Sequence, residues 1–130
     1  MEALIFDTTF LIDFQRERRT GDGPAHRFLE HHREHGARLS VISFAEFAEG
    51  FANPEDPILL SVADSHELLA VDVVIAATYA RIVRTLRAQG RLIGGNDLWI
   101  AATALRHENA LVTRNLEHFA RVPGLRVMGY

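Results

Sequence analysis

At 130 residues the chain has room for one hydrophobic core and not for two. Its 48% hydrophobic and 24% charged residues exclude an intrinsically disordered protein. The formal charge of −3 argues against nucleic-acid binding through global charge, and the absence of cysteine excludes disulfides, thiolate metal sites and a cysteine nucleophile.

The opening run, Met1 to Phe6, has no basic leader and stops at Asp7, so no secretory signal is expected. No stretch has the roughly 18 apolar residues of a membrane span, and a cytoplasmic protein is the expectation. Glu2–Phe6 reads as a buried strand, followed by a helix from Thr9 to about Glu17 with Phe10, Leu11 and Phe14 on one face. A polar loop follows. Pro24 suits the first turn of a second helix expected to reach about His35 and to close at Gly36. Arg38–Ile42 reads as the second strand, and Ser43 opens a helix whose apolar stripe is Phe44, Phe47, Ala48 and Phe51.

After turn chemistry at Asn53–Pro57, a helix is expected over Ile58–Leu68, a strand over Leu69–Val73 and a long amphipathic helix over Val74–Gln89, ended by Gly90. Ile93–Asn96 is a loop, and Asp97 opens a helix to about Arg106. Ala110–Thr113 reads as the fourth strand, Asn115–Phe119 as a short turn or helix and Leu125–Met128 as the last strand. This alternation predicts one α/β domain over residues 1–130, with a parallel sheet covered on both faces. Ligands of such sheets sit at the carboxyl ends of the strands. The polar residues there are Asp7, Thr8, Ser43, Glu46, Thr113 and Asn115.

Hydrolysis of a phosphodiester with Mg²⁺ or Mn²⁺ needs several hard oxygen ligands converging on one point. The ions, when paired about 3.5–4 Å apart, activate a water and neutralise charge on the leaving oxygen. Asp7, Glu46 and Asp97 are the candidate carboxylates. Each also has a plain structural explanation. Asp7 can cap the first helix, Ser43 and Glu46 match an S-x-x-E capping box, and Asp97 in a first helical turn suits the helix dipole. The combination is the signal, because three carboxylates aimed into one crevice repel each other and call for a cation. Spacing alone does not rank Glu46 above Glu49, nor place Asp13, Asp64 and Asp72.

Four segments resemble the PIN-domain family, in particular its VapC branch of toxin ribonucleases. They are Leu4-Ile5-Phe6-Asp7-Thr8-Thr9, Ser43-Phe44-Ala45-Glu46-Phe47, the run Ile93-Gly94-Gly95-Asn96-Asp97-Leu98-Trp99-Ile100-Ala101-Ala102-Thr103-Ala104, and Leu111 to Phe119. The third, with Val112-Thr113-Arg114-Asn115, is the most specific. The resemblance implies a three-layer α/β/α sandwich and a metal-dependent endoribonuclease acting on RNA. It also implies a homodimer and a cognate antitoxin whose tail enters the active-site groove. Asp7, Glu46 and Asp97 would bind Mg²⁺ or Mn²⁺, with Thr8 and Thr113 as supporting hydroxyls and Asn115 at the rim. Family members commonly carry a fourth acid, as R-N-x-x-D-F, where this chain has His118. Imidazole suits Mn²⁺ better than Mg²⁺, so the resemblance makes His118 a candidate fourth ligand, with Glu117 offset by one position.

His31 and His35 lie four apart, yet H-E-x-x-H is absent and a solvated helix end accounts for them. Arg84, Arg87 and Arg91, with Arg81 beside them, form a stripe that is either a solvated face or a phosphate-binding track. Arg114, at a strand end, is the stronger RNA-binding candidate, with Arg91 second. Trp99 reads as core. An aspartyl-phosphate phosphatase needs a second aspartate where Thr9 stands and a lysine; all fourteen basic residues are arginine. That also removes a response-regulator receiver and a Walker-type NTPase. The remaining alternative is a non-catalytic RNA-binding or interaction module with the same fold.

Overall fold

Leu4, Ile5 and Phe6 are all buried, although neighbouring strand residues face opposite sides of a sheet. Such a continuous apolar run requires cover on both faces. In the computed structural model, which describes residues 2–130 and so leaves out Met1, Leu4–Phe6 is β1, the centre of the sheet. The other strands are Ala37–Ser40 (β2), Glu67–Leu69 (β3), Leu111–Val112 (β4) and Val127–Met128 (β5). Their order is β3-β2-β1-β4-β5 and every pairing is parallel.

Seven helices connect them among the described residues: Thr8–Arg16 (α1), Pro24–His31 (α2), Val41–Ala48 (α3), Pro57–Ser65 (α4), Val73–Ala88 (α5), Gly95–His107 (α6) and Leu116–Ala120 (α7). Ile5 and Leu111 pack into one core cluster with Ile75, Ile82 and Leu86 of α5 and most of α6. Leu4, Phe6 and Val112 face the other side, against Phe10 of α1 and Phe28 of α2. The result is the three-layer α/β/α sandwich expected. No helix is long and apolar enough to cross a membrane among the described residues.

Three boundaries differ from the expectation for identifiable reasons. The second strand stops at Ser40, whose Oγ accepts the Ile42 N–H at 3.1 Å, so the β-branched pair Val41-Ile42 begins α3. Tertiary position overrides propensity there. The third strand comes earlier, at Glu67–Leu69, where Arg38 of β2 clamps its register partner Glu67 at 2.9 and 3.3 Å. Helix α2 ends at His31 rather than His35. The rings of His31 and His32 turn back to the carbonyls of Arg27 and Phe28, and His35 bonds to Glu2 O.

The start of α2 depends on a side chain from outside it. The Glu17 carboxylate accepts the N–H groups of Ala25 and His26 at 3.0 and 2.9 Å. Gly23 lies at φ 146°, and any Cβ there would overlap the Glu17 side chain, so glycine is required.

Candidate active site

Because β4 pairs beside β1, the residues following these strands meet. Asp7 follows β1 and is 2% exposed. Its Oδ1 accepts from Thr9 Oγ1 at 2.5 Å and from the Phe10 N–H at 3.3 Å, while Oδ2 accepts from Thr113 Oγ1 at 2.6 Å. Burial pushes the Asp7 carboxyl above its ordinary range, and the donors from Thr113, Thr9 and Phe10 offset only part of that.

Glu46 reaches the same edge from α3. Its Oε1 accepts from Thr8 Oγ1 at 2.6 Å and its Oε2 from Asn96 Nδ2 at 3.1 Å, which ties α1, α3 and the first turn of α6 together. Asp97 lies in that first turn. Burial raises its carboxyl, followed by the negative charges of Asp7 and Glu46. His118 of α7 acts in the opposite direction, its Nδ1 standing 3.9 Å from Asp97 Oδ2, too far for a hydrogen bond. Three acids separated by up to ninety positions in the chain therefore share one electrostatic field.

The capping-box explanation of Glu46 does not hold, because the cap of α3 is Ser40; Ser43 lies inside the helix with its hydroxyl buried and unpartnered. Asp7 does cap α1. Of the acids that spacing left unranked, Asp72 caps α5, Asp64 is exposed, and Glu49 is exposed at the end of α3. Asp13 binds Arg114 NH1 at 2.9 and 2.8 Å and accepts from Tyr130 OH at 2.7 Å. Arg114 thus stands at the rim with NH1 engaged, and its backbone N–H donates to Thr9 Oγ1 at 3.2 Å. Asn115 is exposed at the rim, its N–H donating to Thr113 Oγ1 at 3.0 Å. Glu117 points to Arg121 instead of the acids. Trp99 is packed, stacked on Tyr79 with ring centroids 3.8 Å apart. His31 and His35 bond separate carbonyls and make no joint site.

The sequence alone gives Thr9 and Asn96 no role in this site. Both lie inside quoted motifs, and the signal was their adjacency to Asp7 and Asp97. Only the strand pairing and the reach of α3 reveal what they bond.

Among the described residues, no three acid or histidine side chains converge closely enough to cage one ion. Asp7 and Glu46 each have both oxygens engaged by hydroxyl or amide donors. Mg²⁺ does not need a cage: it keeps several waters and takes one or two carboxylates directly. Carboxylates with one imidazole and no thiol are a donor set for Mg²⁺ or Mn²⁺. The residues fit a hydrated divalent ion.

The sequence matches the PIN domain family over residues 4–125. It is 29% identical over 127 residues to ribonuclease VapC1 of Methanocaldococcus jannaschii, covering 95% of this chain and 85% of that one. It is 36% identical over 93 residues to ribonuclease VapC1 of Haemophilus influenzae, covering 68% and 69%. Among solved structures, VapBC-1 from nontypeable Haemophilus influenzae aligns with a TM-score of 0.76 and 28% identity, covering 99% of this chain and 98% of that one. VapBC2 from Rickettsia felis, bound to a promoter DNA fragment, aligns with a TM-score of 0.85 over 100% and 99%; at 23% identity it speaks for the fold.

Proposed function

Since the chain belongs to the PIN-domain family and has VapC ribonucleases among its relatives, we propose that it is a metal-dependent endoribonuclease, the toxin of a VapBC-type toxin–antitoxin pair. The observation that carries the reading is the meeting of Asp7, Glu46 and Asp97 at one sheet edge, where Glu46 bonds Thr8 beside Asp7 and Asn96 beside Asp97. Mg²⁺ or Mn²⁺, held with its waters among Asp7, Glu46 and Asp97 and with His118 beside them, would supply Lewis acidity, lowering the pKa of a water and neutralising charge on the leaving oxygen.

The protein's own contribution is orientation. Thr113 and Thr9 hold the two oxygens of Asp7, and Thr8 and Asn96 hold those of Glu46. Glu46 also orients the attacking water for in-line displacement. Arg114, with NH1 fixed by Asp13, presents its remaining donors to a phosphate at the rim. An open apolar groove of about 460 Å³, lined by Phe10, Phe14, Leu29, Phe47, Ile58 and Val62, offers apolar residues of the antitoxin a place to bury.

The non-catalytic alternative loses ground to the ribonuclease relatives. Cleavage of a mixed RNA pool with Mn²⁺ or Mg²⁺, silenced by EDTA and absent in Asp97→Asn, is the expected result. Parental cleavage by Asp97→Asn would remove the site assignment.

A further inference from the structure

Between Asp72 and Asp97 there is no acidic residue, in a chain with 17 of them, yet four of its 14 arginines lie there: Arg81, Arg84, Arg87 and Arg91. All four are exposed. None has an ion-pair partner among the described residues, whereas seven of the other ten arginines do. The overall charge of −3 therefore hides a segregated cationic strip, and local charge is what a polyanion meets.

On α5, Ile75, Ile82 and Leu86 form the buried face. Arg81, Arg84 and Arg87 occupy the opposite face at three-residue intervals, spanning about 9 Å of helix axis. Helices α5 and α6 are joined by a short loop, and Tyr79 stacks on Trp99. This sets them antiparallel, with the end of α5 that carries Arg84 and Arg87 beside the first turn of α6, where Asn96 and Asp97 lie. The connecting loop is held to α7, the helix bearing His118, by Arg121 NH1 donating to Leu92 O at 3.4 Å. The strip thus follows α5 to Arg91 in the loop that leads into the first turn of α6. Regularly spaced, unpaired guanidinium groups suit a regularly charged backbone rather than a single anion.

We propose that this strip is the RNA-backbone track of the molecule, gripping phosphates of the strand to one side of the scissile bond. The choice of RNA rests on the nuclease reading; the test does not. Binding of a fluorescein-labelled single-stranded RNA to the Asp97→Asn protein is measured by polarisation between about 50 and 200 mM salt. The same is done with Arg81→Gln/Arg84→Gln/Arg87→Gln added, and with a charge-matched control, Arg16→Gln/Arg19→Gln/Arg33→Gln. The strip variant should lose about 2 from the slope of log affinity against log salt, at ~0.7 per phosphate contact on a single strand. The control should keep the parental slope. Equal losses in both variants would reduce the effect to net charge, and an unchanged slope in the strip variant would assign the strip to another partner, such as an acidic protein; either overturns the proposal. Cleavage of the same RNA by the parental protein with Mn²⁺ is read separately. A reduced slope without parental cleavage sinks the nuclease reading alone, and parental cleavage with an unchanged slope sinks the track alone.

Discussion

Thr113→Val tests whether a buried hydroxyl holds the catalytic edge together. Thr113 is fully buried, and valine keeps its branched shape, so the substitution opens no cavity but sets a methyl in place of the hydroxyl. What disappears is the 2.6 Å bond to Asp7 Oδ2 and the acceptor for the Asn115 N–H. A hydrogen bond to a charged group contributes about 1.5–3 kcal/mol. The Asn115 N–H lies near solvent and finds water, so its loss adds little. The expected cost is about 2–3 kcal/mol at neutral pH, or roughly 6–12 °C in Tm for a domain of this size. Urea unfolding in EDTA at neutral pH measures it, for the parent, Thr113→Val, Asp7→Asn and the double variant. Removing the charge at Asp7 should shrink the cost of Thr113→Val, giving a coupling of about 1 kcal/mol or more. A cost below about 0.5 kcal/mol, typical of an ordinary surface change, or no coupling with Asp7→Asn, would refute the view that this hydroxyl restrains a buried charge.

Asp97→Asn should raise the Tm of metal-free protein at neutral pH. The folded state holds the Asp97 proton above the ordinary carboxylate range, so its stabilising contribution is full at low pH and is lost as pH rises through that raised titration; thermal melts across pH with EDTA read this. Mn²⁺ should reverse the order, since an ion at 100-fold over its Kd stabilises the parent by about 2.7 kcal/mol. His118→Asp should shift selectivity from Mn²⁺ towards Mg²⁺ in isothermal titration, and an unchanged affinity ratio would take His118 out of the site. Glu17→Gln should cost about 1–2 kcal/mol in urea at neutral pH. Burial works against the Glu17 charge, but the N–H groups of His26 and Ala25 outweigh it and hold the carboxyl below its ordinary range. The stability it contributes is present above the ordinary carboxylate range and lost as pH falls, so the difference should close on acidification.

The sandwich was legible because its signals are local. Continuous apolar strands, glycine and proline punctuation and alternating element types predicted the five strands and, with the last left open as a turn or helix, the seven α-helices; the short 3₁₀ helix at Glu17–Arg19 falls where the sequence reads as helix end and loop. The misplaced boundaries share a cause in contacts invisible to a local pattern. Val41-Ile42 looks like strand until Ser40 caps the helix beneath it, and Leu68 looks like helix until Arg38 grips Glu67 from the neighbouring strand. The choice of Glu46 over Glu49 came from resemblance alone. The structure sets the two apart: Glu46 bonds Thr8 and Asn96 from other elements, while Glu49 sits exposed where α3 ends.

The bland and the functional explanations of Asp7 turn out not to compete. A capping aspartate needs one bond from the backbone of the first turn, and Asp7 makes that bond to Phe10. Capping gives no reason for a carboxylate to be almost wholly buried, nor for two threonine hydroxyls, one of them from more than a hundred residues away, to bond its two oxygens. Even with those donors its carboxyl stays above the ordinary range, and Asp97 is raised further by Asp7 and Glu46. A fold seeking stability alone would place neutral side chains at these positions, since burying paired polar groups is at best near break-even against apolar ones. An arrangement that concentrates unfavourable negative charge, and fixes its oxygens with neutral donors in place of arginine, leaves that charge uncompensated for a cation to neutralise.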